Sequence, residues 1–141
     1  MTLEELLVRE AIRDTLAIAS QAGDHLDIEA YVGCFASDGI LEYGDVLHKQ
    51  GHAELRAWLQ RAKAAEAKRG LLRHNVTSTR IEVQGTDAAT ARSYYLVYTD
   101  IGPDHFGWYN DSFVPHEGRW LFKRRLVGVD WVSPQSWLAR R

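Results

Sequence analysis

The sequence predicts an α+β fold: about three N-terminal helices packed on a strongly curved, mainly antiparallel sheet that rolls around them and encloses a cone-shaped pocket. Three observations lead there. Helical periodicity is confined to the stretch before Gly70, with one strand-like run interleaved. After Gly70 come three or four strand-like runs separated mostly by hairpin signals. The length, 141 residues with 45% hydrophobic and 26% charged, suits one domain (1–141) with a real core and is too short for two ordinary ones.

Taken in order, "TLEELLVREAIRDTLAIASQAG" reads as the first helix. Thr2 and Glu5 have capping-box spacing, and Leu3, Leu7 and Ala11 run beside Val8, Ile12 and Leu16 in a wide apolar stripe. Gly23 is placed to stop it. Asp27 suits the N-cap of a short helix, "IEAYVGCF". "ASDG" then reads as a turn and "ILEYGDVLH" as a strand. In "GHAELRAWLQRAKAAEAKRG", Leu55, Trp58, Leu59 and Ala62 follow i, i+3, i+4, i+7 spacing, so a helix ended by Gly70 is expected. Its mixed-sign "KAAEAKR" run reads as a solvated face. The closing strands are "RHNVTSTRIEVQ", "AATARSYYLVYTD", "FGWYNDSFVPH" and "RWLFKRRLVGVDWV". "GTD" and "HEG" suit hairpin turns, and "IGPDH" reads as a looser connection.

Composition removes several classes of function. A net charge of −2 with acids and bases interspersed leaves no basic patch for nucleic acid. No window approaches the 18 apolar residues of a membrane span, and the acidic start does not look like a signal peptide, so a cytoplasmic protein is the default expectation. The single cysteine, Cys34, cannot form an intrachain disulfide and sits in apolar "AYVGCFA"; it reads as a buried small hydrophobe rather than a nucleophile. "DHLD" has no second histidine four residues on, and neither H-x-x-x-H nor C-x-x-C occurs. "GPDHFG" is no phosphate loop. No metal and no organic cofactor are expected.

His74 raises the functional question, because it stands near the start of the strand-like "LLRHNVTSTRIEV". Either the imidazole lies on the solvent side or is hydrogen-bonded in the core, or it faces a pocket and moves protons. Tyr94, Tyr95, Tyr98, Trp108, Tyr109 and Trp131 load the sheet with rings. Most are expected to pack; some would line a cavity suited to a planar or ring-shaped apolar ligand. Arg92 or Arg124 facing inward would offer an anion or enolate site, with Asp111 as a partner. His25, His48, His52, His105 and His116 read as loop or helix-start residues.

The element order resembles the nuclear-transport-factor-2-like superfamily, and three segments resemble its SnoaL-like and scytalone-dehydratase-like branch: "GDHLDIEAYVGCFASDGILEY", "LLRHNVTSTRIEV" and "YNDSFVPHEGRWLFKRRLV". They follow one another in order from Gly23 to Val127. The resemblance implies the cone-shaped fold and one catalytic pair. Asp24 matches the aspartate that, in such lyases, holds and polarises a histidine, and His74 matches that histidine. Tyr43 matches a pocket tyrosine that orients a water or carbonyl. The chemistry is sound on general grounds. A neutral imidazole, with a pKa of about 6.5, both accepts and donates protons near working pH, and a carboxylate on its far nitrogen fixes the tautomer. The sequence departs from scytalone dehydratase itself. The second catalytic histidine of that enzyme aligns near Thr99, its helix-end tyrosine near Gly23 and its pocket asparagine near Tyr109. Scytalone is therefore not the expected substrate.

Two readings follow. In the first, the chain is a cofactor-independent lyase or isomerase acting on a small apolar cyclic molecule, with Asp24, His74 and Tyr43 catalytic and Tyr95, Trp108, Tyr109, Arg124 and Trp131 against the substrate. Elimination of water or halide, or a ketosteroid-isomerase-like double-bond shift, would result. In the second, it is a non-catalytic ligand-binding or oligomer-building module, like a ring-hydroxylating dioxygenase β-subunit. Either is compatible with a homodimer or homotrimer, and Trp137 and Leu138 in the tail would cover the pocket mouth or a partner.

Overall fold

Helix α1, Leu3–His25, opens the chain, capped as its sequence demands: Thr2 and Glu5 exchange reciprocal capping-box bonds. The computed structural model describes residues 1–65 and 70–140. Gly23 does not end α1. The helix runs on to His25 and closes at Leu26, whose φ of 52° is left-handed, while the Asp27 N–H reaches back to the Ala22 carbonyl at 2.9 Å. Asp24 is therefore held in a regular last turn. Asp27 caps α2, Ile28–Val32, through the Ala30 N–H at 3.2 Å.

"ASDG" is strand rather than turn. Strand β1 spans Phe35–Tyr43, with an irregular register against its neighbour between Phe35 and Ile40. Gly39 sits there because a Cβ would approach the Phe122 carbonyl to 2.8 Å. The expected single strand 40–48 breaks at Gly44, φ 49°, and returns as β2, Leu47–Gln50. Helix α3 follows, Gly51–Ala64, with Leu55 and Leu59 buried. Its described part has Ala65 as C-cap; residues 66–69, most of the "KAAEAKR" run and the stretch leading to the expected stop at Gly70, lie outside the described residues.

Four long strands complete the chain: β3 Leu72–Gln84, β4 Ala88–Thr99, β5 Gly102–His116 and β6 Arg119–Val132. The expected loop "IGPDH" lies largely within β5. Among the described residues one six-stranded sheet results, in the order β2-β1-β6-β5-β4-β3, parallel only where β1 meets β6. The β5–β6 turn uses Glu117 and Gly118, both at positive φ (50° and 78°), the geometry that matches strand twist.

The helices cover the inner face. Ile12, Leu16 and Ala19 of α1 pack with Phe35, Phe113 and Phe122 in the main core, and the Thr15 hydroxyl donates to the Trp120 carbonyl at 2.6 Å. Cys34 is fully buried in this core, as its apolar surroundings suggest, and burial pushes its thiol up. A smaller cluster, Leu72, Tyr95, Val97 and Tyr109, meets the main core at Val127. Between β5 and β6 the backbones approach closely: a Cβ at Gly107 would overlap the Gly128 carbonyl. Gly107→Ala is therefore expected to destabilise the fold by about 1–3 kcal/mol, measured by urea denaturation. Among the described residues no helix is long and apolar enough to cross a membrane.

Candidate functional site

The last turn of α1 and the start of β3 pack together, and this places Asp24 against His74, fifty positions apart in sequence. Asp24 Oδ1 lies 2.6 Å from His74 Nδ1, and both carboxylate oxygens accept the His74 backbone N–H, at 3.0 and 3.1 Å. The carboxylate thus fixes backbone and ring together. With Nδ1 turned to Asp24, Nε2 is the ring nitrogen left to react. The Asp24 side chain is 5% exposed and that of His74 23%, so the acid is shielded while the base stays reachable.

His74 lines a cavity with two lobes, of about 240 and 330 Å³. Both lobes share His74, His105, Tyr109, Arg125, Trp137 and Leu138. The tail residues Trp137 and Leu138 thus lie over the cavity. Tyr43 and Tyr95 border the lobe reached from β1, with Leu41 and Val127 as apolar wall. Tyr95 stacks on Tyr109, centroids 4.7 Å apart, and donates its hydroxyl to the Gly128 carbonyl at 2.9 Å. Burial pushes the Tyr109 phenol up to about 12, so it stays protonated.

Three residues expected against the substrate lie elsewhere. Arg124 is on the outer face, paired with Glu42 at 2.7 Å, and the inward arginine is Arg125. A register irregularity explains the exchange: Ser112 pairs with Arg124 but Phe113 with Phe122, so Lys123 is an extra residue. One extra residue moves the alternation to the opposite face. Trp131 is 40% exposed and stacks on Phe106, again beyond an irregularity, between Phe106 and Gly107. Trp108 faces away from the cavity, beside Tyr94 and Asn110. Arg92 lines that same outer groove.

Arg125 is a buried cation with a full set of neighbours. Its guanidinium grips Asp111 by two bonds, at 2.9 and 3.1 Å, and lies 3.6 Å from the Tyr109 ring centroid. Burial raises the Asp111 carboxyl and Arg125 opposes that; Asp111 in turn raises the already high pKa of Arg125, so the cation persists at the cavity wall. Asp111 does pair with an arginine, though with neither of the two expected. His105, read as a loop residue, also faces the cavity: a bulge at Asp104, where Val97 pairs with His105 and Tyr98 with Pro103, turns two successive residues inward. Its signal in the sequence was the Asp–His dipeptide beside an aromatic strand. Among the described residues no group of three or more His, Cys, Asp or Glu side chains is placed to hold a metal ion.

Comparison with known proteins agrees with this architecture. A model of the SnoaL-like domain matches residues 4–126. A protein of unknown function from Mycobacterium tuberculosis superposes with a TM-score of 0.78 at 28% identity, over 92% of this chain and 75% of that one. A scytalone-dehydratase-like protein of Novosphingobium aromaticivorans gives 0.80 at 24% identity, over 94% and 91%. The hexachlorocyclohexane dehydrochlorinase of Novosphingobium barchaimii gives 0.78 at 15%, over 93% and 92%. No curated protein matches the sequence at a significant level.

Proposed function

We propose, from the premise that the chain belongs to the SnoaL-like family, that it is a lyase or isomerase whose Asp24–His74 pair moves protons on a small, largely apolar cyclic substrate. The observation that carries the reading is the 2.6 Å contact of His74 Nδ1 with a shielded carboxylate at the wall of a cavity. His74 Nε2 takes a proton from the carbon next to an electron-withdrawing group. The freed C–H electron pair forms a double bond. In an elimination a neighbouring leaving group departs with its own pair; in an isomerisation the proton returns to a different carbon. Asp24 stabilises the imidazolium as it forms. Arg125, charged and fixed by Asp111, suits a developing enolate oxygen, and Tyr43 stands at the same cavity as a further donor. The scytalone-dehydratase-like and dehydrochlorinase structures that share the fold are named for eliminations, which supports the class without naming the substrate.

The test is a panel of β-hydroxyketones, unsaturated ketosteroids and halogenated rings, followed by ultraviolet absorbance and proton NMR. The wild type is expected to convert at least one class. A panel in which compounds bind the cavity and none is converted would contradict the reading and favour a ligand-binding module.

A further inference from the structure

The cavity holds a second histidine–carboxylate pair that the mechanism above leaves unused. Asp104, 1% exposed, accepts from the Thr99 hydroxyl at 3.0 Å, the Ser136 hydroxyl at 2.6 Å and His105 Nδ1 at 2.7 Å. Burial alone would raise the Asp104 carboxyl, but these donors together hold it below the usual range, so it is a carboxylate and can only accept. His105 Nδ1 therefore carries the hydrogen. Burial pushes the His105 imidazole below the ordinary histidine range, against the pull of Asp104, which leaves the ring neutral and Nε2 bare. Nε2 lies on the ring edge opposite Asp104, and His105 lines both lobes of the cavity. The Tyr95 ring that packs edge-on against it, at 6.0 Å, directs its hydroxyl to Gly128 instead, and Arg125 gives Nε and one terminal nitrogen to Asp111.

We infer that His105 is a second ligand-facing residue, whose Nε2 accepts a hydrogen bond from a hydroxyl of the bound molecule, so that the site prefers hydroxylated rings over halogenated ones of the same size. Asp104 is the positioning residue. It also ties down the tail that roofs the cavity, because Ser136 bonds its carboxylate and the Ser133 N–H bonds its carbonyl at 2.8 Å. The inference deepens the reading of this cavity as the ligand site and needs no turnover.

Equilibrium binding of 5-indanol and 5-chloroindane separates the two. By calorimetry the wild type is expected to bind 5-indanol about tenfold or more tightly than 5-chloroindane, the usual consequence of leaving a buried acceptor without a donor. His105→Phe should abolish that preference and His105→Gln, which keeps an acceptor, should retain part of it. In wild-type ¹⁵N spectra, the His105 Nε2 resonance should move upfield on adding 5-indanol and stay in place with 5-chloroindane. A preference that survives in His105→Phe, an Nε2 resonance unmoved by 5-indanol, or no 5-indanol binding by the wild type would overturn the inference. Loss of turnover chemistry elsewhere would not touch it, since these readouts are binding alone.

Discussion

Replacing His74 with glutamine is expected to lower kcat by about 10²–10⁴-fold on whichever substrate the wild type converts, while the protein stays folded. The size follows from what is removed. Glutamine can still hydrogen-bond Asp24 and fill the space, but it has no nitrogen that accepts a proton near neutral pH. The cavity, Arg125 and the tyrosines remain, so binding and electrostatic help persist and KM should move far less than kcat. The fold should survive because Asp24 is also held by the His74 backbone N–H, which bonds both of its oxygens whatever side chain follows. Circular dichroism and steady-state kinetics on the same preparation check both halves. A variant that keeps wild-type kcat would remove His74 from the chemistry.

The largest expected loss of stability comes from Asp111→Ala. Arg125 is 3% exposed, and Asp111 is the carboxylate that grips it. Removing that partner strands a buried guanidinium, which costs about 3–5 kcal/mol. That is a large share of the roughly 5–15 kcal/mol that hold a domain together. The urea midpoint should fall sharply with little change in slope. Arg124→Ala, one residue away, is the control. The Arg124 side chain is about half exposed in its pair with Glu42, so that change should leave the midpoint within error. If Asp111→Ala and Arg124→Ala shifted the midpoint alike, the buried pair would not have the structural weight given to it.

The contrast between these two arginines also shows where sequence reasoning stops. Periodicity carried the fold: the apolar rows of α1 and α3 and the alternation in β3 to β6 are properties of single segments, and each appears at nearly its expected place. Facing is different. It depends on where an extra residue enters a strand, and the extra residues at Lys123 and Asp130 are set by pairing with β5. Alternation counted from Phe122 through Lys123 puts Arg124 inward and hides Arg125, and alternation counted from Arg125 through Asp130 puts Trp131 inward. His105 was hidden for another reason: "IGPDH" reads as a connection, whereas it lies largely within β5. Gly23 misled in another way. It is a helix breaker by type, yet its Cα sits against the Tyr31 ring inside α1, with the nearest ring atom 3.7 Å from a Cβ built there, and the helix ends at a left-handed Leu26. The closeness of Asp24 to His74 is a tertiary fact. Nothing local in "GDH" or "LRHN" announces it, and only the resemblance to a family of cone-shaped proteins pointed to both positions.

Proton abstraction at carbon is the central claim, and deuterium exchange measures it without waiting for any later step. The cyclic ketone of the substrate panel that binds most tightly is placed in deuterium oxide with catalytic protein, and loss of its α-proton signal is followed by NMR. The wild type should exchange that proton well above the buffer rate, and His74→Gln should return it to about the buffer rate. Equal exchange by the wild type and His74→Gln would contradict the account.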